Sequence, residues 1–242
     1  MSDAPRLSVV IPVKNEAGNI APLVAEIEAA LTGRIAFEIL YVDDGSTDAT
    51  RAEVTALQPD HPALRLVVLA RNAGKAEAQR AGVRAARGAL IVLMDGDGQN
   101  DPAEIPRLLA ALEAAPRAGL AMAQRLGRKD TAFKRWQSRT ANRVRQWLLA
   151  DGARDTGCGF ALLPREVYLA LPAFDGLHRF LPVLVKREGH ELVFVDVTDR
   201  PRRAGSSKYG FFDRLWVGIA DMLGVLWLVR RRRGRAEVAE ER

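Results

Sequence analysis

Short apolar runs alternate with amphipathic segments through the first half of the sequence. Each run has the length of a strand buried on both faces, and each segment between them repeats its apolar residues at helical spacing. The runs occupy residues 7–13, 37–42, 64–69, 89–94 and 119–123. The amphipathic segments occupy residues 21–31, 47–57, 76–87 and 103–114. This alternation predicts an α/β fold in which a mostly parallel sheet is flanked by helices.

The second half of the sequence is less regular and ends in a basic segment. We predict helices at residues 131–149 and 177–188, a strand at 191–197 and a polar, basic loop at 199–209. The 242 residues are enough for one sizeable domain, and no internal repeat divides them. The predicted parts are a domain at residues 1–210, a helix with a basic cluster at 211–233 and a flexible charged tail at 234–242.

The apolar segment at residues 211–229 has the length of a membrane-spanning helix, but charged residues interrupt it. On a helix, Arg214 and Asp221 fall on one narrow stripe and leave a broad apolar face. Inserting a central aspartate into a bilayer costs about 2.5–3.5 kcal/mol. A helix lying in the interface, anchored by Trp216, Trp227 and the arginines at 230–233, avoids that cost. We therefore predict an amphipathic helix on the membrane surface, with a buried core helix as the alternative.

The charge of the chain points to phosphate-bearing partners. The net charge is +6, and 30 of the 36 basic residues are arginine. The guanidinium fork matches phosphate geometry better than an ammonium does. On charge alone, nucleic acid, anionic lipid and nucleotide phosphates all remain possible partners.

Cysteine content and the N-terminal sequence indicate the compartment. The single cysteine, Cys158, excludes an internal disulfide framework and fits a reducing compartment. The N-terminus lacks the long apolar run of a signal peptide and carries Asp3. We therefore expect the protein on the cytoplasmic side.

Two adjacent aspartates follow the second predicted strand. Asp43 and Asp44 precede Gly45 and Ser46, a run that is typical of an Asx turn with a helix cap. Ligands of parallel sheets bind beyond the carboxyl ends of the strands, and two acids exceed what a turn requires. We therefore expect one of the two aspartates to accept hydrogen bonds from a base or a ribose.

A second acidic group follows the fourth predicted strand. Glycines separate and follow Asp95 and Asp97, so the backbone can bend both carboxylates toward one point. Carboxylate and amide oxygens suit Mg²⁺ or Mn²⁺, and such a cation on a diphosphate would promote cleavage of a sugar–phosphate bond. An EF-hand is excluded because Asn100 and Pro106 occupy its glycine and glutamate positions. Lys75 either adds positive charge near the diphosphate or lies in solvent, and a solvated acidic turn is the alternative to the metal site.

Four motifs of the first half resemble those of family 2 glycosyltransferases with the GT-A fold. They are VIPVKNE at residues 10–16, VDDGS at 42–46, NAGK at 72–75 and MDGDGQ at 94–99. Three later motifs resemble the dolichyl- and undecaprenyl-phosphate glycosyltransferase branch, which includes the dolichol-phosphate mannosyltransferases. They are SRTAN at residues 138–142, DTGCGF at 155–160 and RRAGSSKY at 202–209. The last is similar to the R-x-x-G-x-S-K-Y loop of that branch, and the resemblance covers nearly the whole chain.

This resemblance implies a metal-dependent glycosyltransferase on the cytoplasmic face of a membrane, attached peripherally. Its implied donor is a nucleotide-sugar, GDP-mannose or a UDP-sugar, and its implied acceptor is a polyprenyl phosphate. The sugar would transfer with inversion at the anomeric carbon, and Mg²⁺ or Mn²⁺ would serve as cofactor. The sequence leaves the sugar, the lipid length and the oligomeric state open.

The resemblance also implies roles for individual residues. It implies that the nucleoside pocket is lined by Pro12, Asn15, Glu16 and Asp44. The implied metal ligands are Asp95, Asp97 and Gln99. The residues implied to bind the acceptor phosphate are Arg125, Lys134, Arg135 and Ser138. Arg202 and Lys208 are implied to close over the diphosphate. With the arguments from the residues, the candidate nucleotide-sugar set is Pro12, Asn15, Glu16, Asp43, Asp44, Lys75 and Asp95. The candidate catalytic set is Asp97, Arg125, Ser138, Arg202 and Lys208.

Two residues keep alternative roles. Asp155 either orients the acceptor or caps a turn. His178, beside Arg179 and Phe180, either borders the sugar pocket or has a purely structural role.

Three other functions compete with this interpretation. A family 2 transferase with a saccharide or lipid-headgroup acceptor would not require the loop at residues 202–209. A soluble nucleotidyltransferase would not require the apolar segment at residues 211–229. A non-enzymatic nucleic-acid-binding protein would explain the basic charge, but clustered aspartates would repel phosphates without a metal. We therefore expect no nucleic-acid partner.

Overall fold

The computed structural model describes residues 4–126, 146, 148–155, 157–198, 200 and 211–231, with the side chains of the last segment described at 218 and 220–231. The chain divides into two units, residues 1–207 and 208–242, and each is described by itself below. The predicted boundaries at residues 210 and 233 stay predictions.

The first unit is built on a seven-stranded sheet with the strand order β3-β2-β1-β4-β6-β5-β7. The strands are β1 (Leu7–Val13), β2 (Phe37–Asp43), β3 (Leu64–Val68), β4 (Leu90–Leu93), β5 (Ala118–Leu126), β6 (Ala161–Pro164) and β7 (Glu191–Thr198). Parallel pairs join β1 to β2 and β4, β2 to β3, and β5 to β7. Strand β6 runs antiparallel to both of its neighbours, β4 and β5. The prediction of a mostly parallel sheet is confirmed.

Helices follow most of the strands. They are α1 (Ile20–Leu31), α2 (Thr50–Leu57), α3 (Lys75–Ala85), α4 (Ile105–Glu113), α5 (Arg165–Ala170) and α6 (Leu181–Arg187), with α7 (Phe211–Arg230) in the second unit. Short 3₁₀ turns at Pro102–Glu104 and Leu177–Arg179 precede α4 and α6. The predicted helix at residues 131–149 lies almost entirely outside the described residues, as does the predicted loop at 199–209.

Two predicted helices differ in their beginnings. The helix predicted from residue 47 begins at Thr50, because Asp48 Oδ1 accepts a hydrogen bond from Thr50 N at 3.0 Å and keeps the preceding residues in a loop. The helix predicted at residues 177–188 is interrupted at Phe180, where a 3₁₀ turn ends and α6 begins.

Strand β6 was missed by the sequence analysis. Its four residues are too few to show a period, and its place between β4 and β5 depends on pairing with distant residues. The antiparallel direction of β6 has a consequence for the site. It brings the residues that precede Ala161 to the edge where the parallel strands end.

The core lies on both faces of the central strands. Residues Leu7 to Ile11 of β1 are fully buried, which agrees with the continuous apolar run. Helix α3 approaches the sheet closely at Gly82, where an added Cβ would lie 2.4 Å from Val10 Cγ1 and 2.7 Å from Val42 Cγ2. This contact requires glycine, and it holds the C-terminal half of α3 close to β1 and β2.

Helix α7 covers the segment at residues 211–229 for which a helix was predicted, and its amphipathic, membrane-associating character stays a prediction. Among the described helices, none has the length and apolar character needed to cross a membrane. On α7, Leu223 and Trp227 are 63% and 58% exposed. The guanidinium carbon of Arg231 lies 5.6 Å from the centroid of the Trp227 ring, a cation–π contact.

Candidate functional site

The candidate site lies at the edge of the sheet where β1, β2, β4 and β5 end, which we call the carboxyl edge. These strands run in the same direction, since β6 is antiparallel to both β4 and β5. From β1 the chain passes to β2 on one side, and it later reaches β4 on the other side of β1. Ligands of open α/β sheets bind at such a change of strand order.

The loops that follow β1 and β2 are joined by hydrogen bonds. Asn15 N donates to Ser46 Oγ at 3.0 Å, and Thr47 N donates to Asn15 Oδ1 at 2.8 Å. Glu16 N donates to Thr50 Oγ1 at 2.8 Å. Asn15 has a φ of 56°, in the left-handed region that asparagine tolerates better than most residues. The two loops, with the partly buried Pro12 at the end of β1, therefore form one rigid wall.

The adjacent aspartates of β2 and its loop hold two different turns. Asp43 Oδ1 accepts a hydrogen bond from Ser46 N at 2.9 Å. Asp44 accepts from Ala73 N at 2.6 Å through Oδ1 and from Gly74 N at 3.0 Å through Oδ2. Both carboxylates are buried. Asp44 thus fixes the loop before α3, and the predicted contact of one aspartate with a base or ribose stays a prediction.

The turn after β4 closes on itself. Asp95 N donates to Asn100 Oδ1 at 3.0 Å, and Gln99 N donates to Asp97 Oδ1 at 3.1 Å. Asn100 Nδ2 also donates to Cys158 O at 3.2 Å, which ties the turn to the segment before β6. We call residues 95–99 the acidic turn.

Gly159 packs directly against the acidic turn. An added Cβ there would lie 2.9 Å from Asp95 Oδ2, and its φ of 64° also favours glycine. The glycine therefore leaves the Asp95 carboxylate room on that side.

Lys75 pairs with Asp95. Its ammonium group donates to Asp95 Oδ1, and the two side chains are 33% and 29% exposed. Lys75 is also the first residue of α3, so its charge adds to the positive end of a helix dipole. The alternative that Lys75 simply lies in solvent is wrong, because its ammonium group pairs with Asp95.

The acidic turn fits a cation that arrives with a diphosphate. Within the described ranges, no group of three His, Cys, Asp or Glu side chains is placed to hold a metal ion. Mg²⁺ usually keeps several waters and binds through one or two carboxylates together with substrate phosphates. Asp95 and Asp97, with the amide of Gln99 on the same turn, provide that kind of donor set and not a complete protein cage.

Arg125, at the end of β5, forms a two-point ion pair with Asp155. Nε donates to Asp155 Oδ2 at 2.6 Å and an Nη nitrogen donates to Oδ1 at 3.2 Å. Asp155 Oδ1 also accepts from Gly157 N at 2.9 Å, so the prediction that Asp155 caps a turn is confirmed. The predicted contact of Arg125 with an acceptor phosphate stays a prediction, and its guanidinium is oriented at the carboxyl edge.

His178 lies near the pair of Lys75 and Asp95, in the 3₁₀ turn that packs against α3. Its Nδ1 is buried and has no hydrogen-bond partner among the described residues. Burial, with the positive charges of Lys75 and Arg179, lowers the pKa of His178 to about 4, while Asp95 opposes the shift. The imidazole is therefore neutral at physiological pH.

The other predicted acceptor and loop residues lie outside the described residues. They are Lys134, Arg135, Ser138, Arg202 and Lys208. Their roles stay predictions.

The sequence analysis missed two residues that hold the acidic turn, Asn100 and Arg200. Asn100 was considered only for an EF-hand. The signal that could have found it is a polar residue directly after the acidic turn. Arg200 N donates to Gln99 O at 3.3 Å, a contact for which the sequence holds no local signal.

With this geometry, comparison with known proteins identifies the family. The family model described as Glycosyl transferase family 2 matches residues 8–171, more than half of the chain. The chain belongs to glycosyl transferase family 2. The match includes the acidic turn and the loops after β1 and β2, and the resemblance inferred from the motifs is confirmed.

Curated relatives of this family 2 glycosyltransferase share about a third of its residues. It is 35% identical over 229 residues to dodecaprenyl-phosphate galacturonate synthase from Rhizobium johnstonii, covering 93% of this chain and 67% of the relative. It is 37% identical over 207 residues to undecaprenyl-phosphate 4-deoxy-4-formamido-L-arabinose transferase from Pseudomonas aeruginosa, covering 84% of this chain and 60% of the relative. The chain thus spans about three fifths to two thirds of the length of these relatives.

Solved structures confirm the GT-A fold of this family 2 glycosyltransferase. Glucosyl-3-phosphoglycerate synthase from Mycobacterium tuberculosis, in complex with UDP, superposes with a TM-score of 0.69 at 20% identity, covering 96% of this chain and 82% of that chain. A mannosyltransferase from Pyrobaculum calidifontis, in complex with GDP-Man and Mn²⁺, superposes with a TM-score of 0.64 at 23% identity, covering 98% of this chain and 67% of that chain.

Proposed function

We propose that this protein transfers a sugar from a nucleotide-sugar, GDP-mannose or a UDP-sugar, to a polyprenyl phosphate. The observation that carries the proposal is the pairing of Lys75 with Asp95 beside Asp97 at the carboxyl edge. A cation beside two carboxylates at this edge supports the binding of a diphosphate together with its metal. The names of the relatives from Rhizobium and Pseudomonas, both polyprenyl-phosphate sugar enzymes, support the lipid acceptor.

On the donor side, the acidic turn would hold Mg²⁺ or Mn²⁺ through Asp95, Asp97 and Gln99. When bound, the cation neutralises the negative charge that builds on the leaving diphosphate. Lys75 lies against Asp95 at the N-terminus of α3, and it would contact the diphosphate with the helix amides behind it. The wall formed by the loops after β1 and β2 would receive the nucleoside through Pro12, Asn15, Glu16, Asp43 and Asp44.

On the acceptor side, the nucleophile is an oxygen of the lipid phosphate. It bonds to the anomeric carbon as the bond from that carbon to the diphosphate breaks, and the electron pair leaves with the diphosphate. Because attack comes from the opposite face, the configuration inverts. The phosphate is already anionic and needs no strong general base. Arg125, held by Asp155, would receive the phosphate together with Lys134, Arg135 and Ser138, while Arg202 and Lys208 would contact the diphosphate.

The proposed lipid acceptor lies in a membrane, and the exposed side chains of α7 support attachment to the membrane surface. Leu223 and Trp227 are exposed one helical turn apart, and Arg230 and Arg231 follow them. Exposed apolar and basic side chains on one helix are typical of a segment that lies in the headgroup region of anionic bilayers. We propose peripheral attachment at the cytoplasmic face. Nucleic acid is not proposed as a partner, because the acidic turn would repel its phosphates.

A donor and acceptor screen tests the proposal. Purified protein is incubated with radiolabelled UDP- or GDP-sugars, Mn²⁺ or Mg²⁺, and vesicles that contain undecaprenyl phosphate. Label should pass into the lipid fraction with one donor, and chelation of the metal should stop it. Parallel reactions offer oligosaccharides or phospholipids in place of undecaprenyl phosphate. Transfer to those acceptors, with none to the lipid phosphate, would contradict the proposed acceptor and leave a family 2 transferase of another specificity.

A further inference from the structure

Arg200 joins three parts of the first unit. Its backbone N donates to Gln99 O, the carbonyl at the end of the acidic turn, at 3.3 Å. Its guanidinium donates to Glu26 Oε2 of α1 at 3.0 Å and forms an ion pair with Asp101 Oδ2 at 2.6 Å. One residue therefore contacts the acidic turn, the residue two positions beyond it and the helix that follows β1.

The contacts of Asp101 connect this ion pair to the acidic turn. Asp101 Oδ1 accepts a hydrogen bond from Ala103 N at 2.9 Å and caps the 3₁₀ turn at Pro102–Glu104. Its other oxygen is the one paired with Arg200. Arg200 thus contacts the chain on both sides of Asn100, whose Oδ1 accepts a hydrogen bond from Asp95 N at the start of the acidic turn. The acidic turn is held at its start by the side chain of Asn100 and at its end by the backbone N of Arg200.

The chemistry of Arg200 suits positioning better than it suits global stability. The side chains of Arg200, Glu26 and Asp101 are about a quarter to a third exposed, so water screens both ion pairs. Partly exposed pairs of this kind contribute little to the free energy of unfolding. A guanidinium can nevertheless bind two carboxylates in a fixed plane, which an ammonium cannot do with the same geometry.

We infer that the Arg200 guanidinium positions the acidic turn by acting through Asp101 on the two carboxylates proposed to bind the metal, while the Arg200 backbone N holds Gln99 O whichever side chain stands at this position. The inference rests on the proposed function insofar as it assigns the metal and the nucleotide to this turn. Removing a partner that hydrogen-bonds a metal ligand directly commonly changes metal affinity by about 10–100-fold, and the Arg200 guanidinium acts one residue further out through Asp101, so we expect an effect at the lower end of that range. Loss of Arg200 should therefore loosen Asp95 and Asp97 without removing either carboxylate.

The test measures Mn²⁺ binding by calorimetry, in the presence of UDP and separately of GDP, together with thermal unfolding. In Arg200→Ala, the Mn²⁺ dissociation constant should rise about tenfold, and kcat should fall. Arg200→Lys keeps the positive charge but loses the planar guanidinium, so its Mn²⁺ dissociation constant should lie between those of the wild type and Arg200→Ala. Asp101→Asn keeps an oxygen that can accept the hydrogen bond from Ala103 N but loses the negative charge. It should also raise the Mn²⁺ dissociation constant, by less than Arg200→Ala does.

Arg34→Ala is the matched control, since Arg34 is an exposed arginine that lines the same groove as Arg200. It should leave Mn²⁺ affinity unchanged. A lowered unfolding midpoint in Arg200→Ala with unchanged affinity would overturn the inference and leave a stabilising role. If Arg200→Ala does not fold, unchanged affinity in both Arg200→Lys and Asp101→Asn overturns it equally. If the wild-type protein binds no Mn²⁺ with either nucleotide, the proposed function fails first and the inference with it.

Discussion

Both oxygens of the Asp155 carboxylate bind the guanidinium of Arg125, through Nε at 2.6 Å and an Nη nitrogen at 3.2 Å. The two side chains are 17% and 9% exposed, so the pair is screened less than a surface ion pair. Arg125 stands at the end of β5, and Asp155 stands shortly before β6. The pair orients an arginine at the carboxyl edge.

Removing Asp155 should affect both stability and transfer. Asp155→Ala leaves a partly buried guanidinium without this partner, and we expect a loss of about 1–3 kcal/mol in the free energy of unfolding. Denaturant unfolding and transfer rates measure the two effects. The control is Arg117→Ala, which breaks the exposed pair of Arg117 with Glu191 at the start of β5. That change should cost less than about 1 kcal/mol, and equal costs for both variants would contradict the orienting role of Asp155.

Asp97→Ala should abolish transfer while the protein stays folded. Asp97 lies after a strand and accepts a hydrogen bond from Gln99 N, so it contributes little to the apolar core. We expect turnover to fall more than about a hundredfold, beyond the effect typical of an outer partner of a metal ligand. Asp97→Asn keeps an oxygen for Gln99 N and should be almost as inactive. Near-normal turnover with intact metal dependence in either variant would show that Asp97 is not a metal ligand.

Lys75→Met should raise the KM for the nucleotide-sugar, with about tenfold as the expected size for one lost charge-assisted contact. Its effect on stability should be below about 1 kcal/mol, since the pair with Asp95 is about one third exposed. Initial rates across donor concentrations and thermal unfolding separate the two. Arg84→Ala, on the same helix and paired at the surface with Glu77, serves as control. An unchanged KM in Lys75→Met would place the diphosphate elsewhere.

His178 should make the protein less stable as pH falls from about 6.5 toward 4. Its pKa is lowered from 6.5 to about 4 in the folded protein, so the unfolded chain binds the proton more tightly. Stability from this residue is complete above the unfolded value and is lost as pH falls below it. His178→Gln should flatten that part of the curve of unfolding midpoint against pH. His190→Gln is the control, and an identical slope in the wild type and in His178→Gln would show that His178 is not the responsible group.

Substituting both Leu223 and Trp227 with serine should weaken membrane binding. These exposed side chains would enter the headgroup region, while the arginines at 230–233 would each contribute about 1 kcal/mol near anionic lipid. Flotation with vesicles of anionic and of neutral lipid measures binding, which should fall as salt rises. Deletion of residues 211–242 should abolish it and impair transfer to long lipid acceptors. Val68→Ser, which removes an exposed apolar side chain from the first unit, should have no effect. Equal flotation of all forms would show that α7 is not the anchor.

Much of the fold and part of the site could be predicted because they depend on local pattern. The continuous apolar runs predicted β1 at Leu7–Val13 and located β2 to within one residue, and the separately predicted strand at 191–197 located β7 equally well. The aspartates after β2 and β4 were located at the carboxyl edge, because parallel strands end together. The motifs around them identified the family.

Only the tertiary structure decided the contacts that give these residues a geometry. Strand β6 carries too few residues to show a period, and its place between β4 and β5 follows from pairing with strands distant in sequence. The pairing of Lys75 with Asp95 spans 20 residues, and that of Arg200 with Glu26 spans 174. A strand or helix repeats its pattern within a few residues, and so the sequence determines it directly. A single polar contact between distant residues leaves no period in the sequence, and it forms only when the packed core brings its two partners together.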